Sequence, residues 1–171
     1  MNASDKTDTL ALVFAALLAR LWLAVRAIQT GIEKYAGSKA STVIAEIDGA
    51  PNSYGLTKEG SDKFYSTDAY SGVPEALMSK FENEPLMMGW ALNLYDKILG
   101  PALIIFGFTI FLGIASRISL FALGLLYISL TLGLIMIKQD AGVAWLGTHM
   151  LIVIAALALH RHNRFCILKK W

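Results

Sequence analysis

ALLARLWLAVRAIQTGIEKYAG, Ala16 to Gly37, is apolar enough to enter a bilayer, yet it carries Arg20, Arg26, Glu33 and Lys34. A charge near the centre of a membrane helix costs at least ~2.5–3.5 kcal/mol on insertion scales. Residues placed there at that cost need a partner or a task.

The composition around this stretch sets the class. Of 171 residues, 56% are hydrophobic and only 16% charged, and the mean hydropathy is +0.54. A soluble domain has roughly 45–50% apolar residues. Three further runs, Ile98 to Ile114, Ile118 to Ile137 and Val143 to Leu159, contain no acidic residue. With Leu10 to Ile32 they make four segments about long enough, at ~1.5 Å per residue, for a ~30 Å hydrocarbon core. The expected fold is an all-α integral membrane four-helix bundle, one domain over 1–171. Its helices fall near 9–35, 86–114, 117–138 and 142–161, with a long extracytoplasmic loop at 36–85. The first run is expected to be a retained helix rather than a cleaved signal, because MNASDKTD lacks a basic n-region and arginines interrupt the apolar stretch. A lone cysteine, Cys166, excludes an internal disulfide, a CxxC redox pair and a cysteine-rich metal site.

Lysine and arginine placement predicts the topology. The tail HRHNRFCILKKW carries Arg161, Arg164, Lys169 and Lys170 without an acid, so both termini are expected in the cytoplasm. Arg117 in the turn ASRIS agrees. Tyr35 to Glu84, with four lysines against eight acids, belongs outside. Turn signals cluster at DGAPNSYG and KEGSD, and VPEALMSKF predicts a short helix from Pro74 to Phe81. Tyr54, Phe64, Tyr65 and Tyr70 are placed to fold this segment onto the bundle mouth, either as a solvated cap or as a docking surface.

Depth counting brings polar residues into one layer. Arg26 lies six residues before Ile32, roughly 9 Å inside the outer boundary. Asp96, six residues after Trp90, and His149, six after Val143, reach the same depth, and Thr131 follows within about a turn. The candidate site is therefore Arg26, Asp96, Thr131 and His149, with Asp96 and His149 as proton carriers. Helical angle puts Arg26, Thr30 and Glu33 on one face of the first span. Arg20, Ala24, Ala27, Gly31 and Lys34 share another, whose small residues suit close helix packing. Asp96 is expected to pair with Arg26, and Lys97 with Glu33, since buried charges need partners. Arg20 is expected near mid-membrane with Tyr127 as its partner. Gly100–Pro101 should bend the second span and free a carbonyl. The layer reads either as a strut fixing helix register or as a pocket for a polar headgroup such as a quinone. A bis-histidine haem would need a second histidine at the depth of His149, and no metal-ligand cluster is present in the sequence. Nothing points to nucleic acid; membrane lipid and other protein subunits are the expected partners.

The first span resembles the DoxX/DoxD group of small four-helix membrane proteins, with Arg20, Gly31 and Lys34 at matching places. GPALIIFGFTIFLGIASRISLFALGLL is similar to that group's second-to-third-span signature through Gly107, Gly113 and Arg117, and GTHMLIVIAALAL resembles its closing helix. The long loop after the first span favours the branch related to the small subunit of thiosulfate:quinone oxidoreductase. The resemblance implies a prokaryotic cytoplasmic-membrane protein that helps pass electrons from a reduced sulfur compound to quinone. Arg26 and Lys34 would attract an anion or headgroup oxygen, His149 or Asp96 would handle the quinone proton, and a partner subunit would supply any metal centre. The alternative is a non-catalytic accessory subunit of a larger membrane complex.

Overall fold

The computed structural model describes residues 3–167, with side chains from Asp8 onward; Lys169 and Lys170 of the basic tail lie outside that range. Its helices are α1 (Ala3–Glu33), α2 (Glu75–Glu82), α3 (Gly89–Leu112), α4 (Ser116–Met136) and α5 (Asp140–Ala158). Four of them, α1 from Asp8 together with α3, α4 and α5, are long and apolar enough to cross a membrane. Their outward surfaces carry Leu18, Trp22, Ile105, Phe121, Leu151 and Ile154 exposed, as expected where lipid rather than water is the solvent.

Tight α1–α3 packing follows from the small residues in the sequence. Ala24 and Ala27 are buried. A Cβ on Gly107 would stand 2.9 Å from the Ile28 nitrogen and 3.1 Å from the Ala24 oxygen, and one on Gly31 would stand 3.1 Å from the Gly100 oxygen. Backbones approach this closely only where side chains are missing. Leu23, Leu103, Ile110, Leu120, Leu123 and Val153 fill the core between the four long helices. Gly113, left-handed at φ 69°, caps α3, and Ala115 at φ 46° completes a tight turn into α4.

The all-α expectation fails between α1 and α2. β1 (Ala36–Ile44) pairs antiparallel with β4 (Thr57–Tyr65), in register from Ala36 opposite Tyr65 to Ile44 opposite Thr57. Backbone outside the bundle must satisfy its own hydrogen-bonding groups, and the Ser/Thr/Val/Ile-rich β1 does so across a ladder. DGAPNSYG does supply turns. Asp48 and Gly49, both at positive φ, join β2 (Glu46–Ile47) to β3 (Ala50–Pro51), as an Asp-Gly hairpin requires. Asn52 then closes the tip, donating to the Ala45 and Leu56 carbonyls and accepting from the Tyr54 and Leu56 N–H groups. KEGSD is not a turn but part of β4. Gly60 fits there because it leaves room for Ser41 and Val43 across the ladder, each 3.0 Å from where a Cβ would sit.

The helix expected from Pro74 to Phe81 forms over Glu75–Glu82, with Pro74 at its N-cap. Phe81 joins Val73 and Leu92 in a small second core. The ribbon and α2 thus mark one end of the bundle, the hairpin end. The residues after α5 mark the other, the tail end.

Candidate functional site

Three helices bring Arg26, Tyr127, Trp145 and His149 together. Arg26 lies on α1, Tyr127 on α4, and Trp145 and His149 one turn apart on α5. Tyr127 and His149 are each 5% exposed, and their rings meet edge to face with centroids 5.9 Å apart. Trp145 stacks obliquely on His149 at 5.2 Å. The Arg26 guanidinium sits over the Trp145 ring, 5.7 Å from its centroid, and its charge acts on the Tyr127 phenol. Its Nη1 donates to Gln29 Oε1 at 2.9 Å, and its Nε is buried without a partner.

Among the described residues the one ion pair is Lys63 with Glu33, so Arg26 has an aromatic face where a carboxylate was expected. His149 Nδ1 lies 2.9 Å from the Trp145 carbonyl. A carbonyl can only accept, so Nδ1 carries a proton, and in the neutral ring Nε2 has the lone pair. The layer therefore offers a cation, a phenol and an imidazole acceptor within a low-dielectric span. Beside it a groove of about 410 Å³ runs between α1 and α3, lined by Val25, Ile28, Ile32, Phe108 and Phe111, with Gln29, Glu33 and Tyr65 at its polar edge. Gln29 touches both the groove and Arg26.

The other expected members go elsewhere. Thr131 spends its hydroxyl on the Tyr127 carbonyl, 2.7 Å away on its own helix. Asp96 does not pair with Arg26: its Oδ1 accepts from the Val73 N–H at 2.6 Å. Depth counting assumed that every span starts at one level. In the structure Gly31 of α1 already faces Gly100 and Ile104, so the first turns of α3, Asp96 included, stand beyond the end of α1. Lys34, not Arg26, lies near Asp96. Burial pulls the Lys34 ammonium below its ordinary pKa, and the Asp96 charge partly offsets this.

Glu33 pairs with Lys63 of β4 rather than Lys97, and Tyr65 also donates to it at 3.2 Å. The bond to Glu33, and Tyr65 lying against the ammonium, hold Lys63 above its ordinary pKa. Lys97 is exposed and contributes its main-chain carbonyl. That carbonyl is the one Pro101 leaves without a helical partner. The single Tyr70 hydroxyl proton is shared between it, at 3.1 Å, and the closer Asp96 carbonyl, at 2.5 Å, while the oxygen accepts from the Gly100 N–H at 3.2 Å. A loop tyrosine thus repairs the proline gap, and Gly100 leaves it room: a Cβ there would come 2.6 Å from the Tyr70 ring.

Arg20 does not meet Tyr127. It lies at the tail end, level with Gly113, where its Nη1 donates to Asn163 Oδ1 at 2.6 Å and Cys166 Sγ at 3.2 Å. The 31-residue α1 outruns α3 there, so Arg20 stands level with the end of that helix. Sequence reasoning also passed over Trp145, whose signal was its place one turn before His149.

No protein-family model matches this chain, and no curated protein or solved structure is significantly similar to it.

Proposed function

We propose that the protein is a membrane subunit of a quinone-linked redox system, holding a quinone headgroup in the Arg26–Tyr127–His149 layer. The observation that carries this reading is the Arg26 charge, set among aromatic rings without a carboxylate partner. A quinone carbonyl accepts hydrogen bonds from a guanidinium and a phenol, and an imidazole lone pair takes the proton of the quinol. The apolar groove beside Gln29 suits an isoprenoid tail. Asp96, engaged by the Val73 N–H, serves to dock the loop and is not part of the proton path. The DoxX/DoxD resemblance supports a sulfur-compound donor and a prokaryotic cytoplasmic membrane. The basic tail supports cytoplasmic termini and an external hairpin.

Trp145 reports occupancy directly. In a variant retaining Trp145 as its single tryptophan, a short-chain quinone should quench the fluorescence. Arg26→Gln should weaken that quenching about tenfold, as loss of a charge-assisted hydrogen bond implies, and His149→Ala should weaken it similarly. Quenching that is absent, or unchanged in both variants, rejects the headgroup site.

A second reading is an accessory subunit that docks a partner. It is favoured by Ile44, Ile47, Tyr54 and Leu56, which stand exposed at the far tip of the ribbon. Purification from native membranes should then yield a constitutive partner that is lost with Tyr54→Ser and Leu56→Ser, with no quinone in the extract.

A further inference from the structure

Arg20 is the most deeply buried charge the structure describes, at 3% exposure, and the described residues around it supply no anion. Asn163 and Cys166 take its Nη1, and Ser116 reaches the same sulfur at 3.6 Å. The tail closes over this cluster, with the Ile167 N–H bonded to the Leu112 carbonyl at 3.3 Å. Yet the Nε–H of Arg20 has no partner. The sequence holds no Asp or Glu between Asp8 and Glu33, between Asp96 and Asp140, or beyond Asp140. Among the described residues, the helices and side chains that enclose Arg20 therefore bring no carboxylate to it.

Two more nitrogens at the tail end are buried and unpartnered, His160 Nε2 and His162 Nδ1. Both belong to the 3₁₀ turn His160–His162, which packs against α1 and runs directly into Asn163. A buried cation without a counter-charge is among the costliest arrangements a fold can hold. With Nη1 taken, the guanidinium still presents the edge carrying Nε, the fork that receives two oxygens of one oxyanion.

We infer that the tail-end cluster of Arg20, His160 and His162 binds a phosphate-class oxyanion that neutralises Arg20. Two sources share this chemistry: free phosphate, and the headgroup of an anionic phospholipid on the tail-end face of the membrane. The site lies away from the Arg26 layer and does not depend on the quinone reading.

The test uses the full chain, delipidated in an uncharged detergent at constant ionic strength. Inorganic phosphate is added in one arm. In the other, the protein is placed in phosphatidylcholine nanodiscs with or without phosphatidylglycerol. Saturating anion should raise the Tm by about 2–6 °C. A response to phosphate assigns a soluble oxyanion, and a response to phosphatidylglycerol alone assigns the headgroup. Arg20→Gln should abolish the response, and Arg20→Lys should keep only part of it, since an ammonium has no fork.

Labelling of Cys166 by a maleimide, on the unaltered protein, places the binding even where Arg20→Gln does not fold. Anion at twice its dissociation constant should slow labelling about threefold by simple occupancy. The inference is overturned if neither arm shifts the Tm, if Arg20→Gln responds like the parent, or if labelling is unaffected.

Discussion

Tyr70 shows how one loop side chain can complete a membrane helix. Without its hydroxyl, the carbonyl that Pro101 strands on Lys97 has no partner, so Tyr70→Phe should cost about 1–3 kcal/mol in thermal unfolding. Burial raises the Tyr70 pKa, although the bond from the Gly100 N–H pulls the other way. The stabilisation is therefore complete below pH 10, where the unfolded phenol is still neutral, and is lost as pH rises through the folded value. Tyr70→Phe should show a shallower alkaline fall than the parent. Lys63, whose pKa is also raised, follows the same sign: its bond to Glu33 is intact below the ordinary lysine value and is lost only as pH rises through the higher folded value. In Lys63→Ala, a protease should cut the ribbon base as readily at pH 8 as it cuts the parent at high pH. At this scale the sequence was only partly legible. Arg26 and His149 were found because intramembrane charge is rare enough to stand out. Their partner Trp145 was not, because an aromatic in an apolar span carries no signal of its own. Asp96 was misassigned because depth from sequence needs a common origin for all four spans, and α1 and α3 do not share one.

Among elements, the α1–α3 seam is the most exacting contact. Gly107→Leu would drive a side chain into the Ile28 and Ala24 backbone, and overpacking of this kind costs about 1–3 kcal/mol. The same change at Gly147, which has open space around it, should be nearly neutral. Comparing the two by thermal unfolding separates a packing requirement from a general intolerance of bulk. The seam was legible in advance, since Ala24, Ala27 and Gly31 recur at helical spacing. The ribbon was not. β1 and β4 are polar on both faces, so neither shows the alternation that betrays a half-buried strand. Their register comes from the turns and from the ladder itself. A two-stranded ribbon of this kind is marginal alone, and the Glu33, Lys63 and Tyr65 bonds at its base tie it to α1.

For the whole molecule, the four apolar helices were readable from composition, because lipid-facing and core-facing positions alike must be apolar. Their relative heights were not, since nothing in a hydropathy profile says where one helix sits against the next. The helix lengths carry a further consequence. The candidate span of α1, Asp8 to Glu33, has 26 residues and that of α5 only 19, or about 39 Å against about 28 Å at the standard rise. A ~30 Å hydrocarbon core matches the second and not the first. The first helix must then lean, or the bilayer must thicken around it, and either response makes the protein sensitive to membrane thickness. Reconstitution in lipids of increasing acyl length should raise its Tm to a maximum above the length that suits a 19-residue span. A monotonic fall would show that α1 relieves the mismatch by tilt alone.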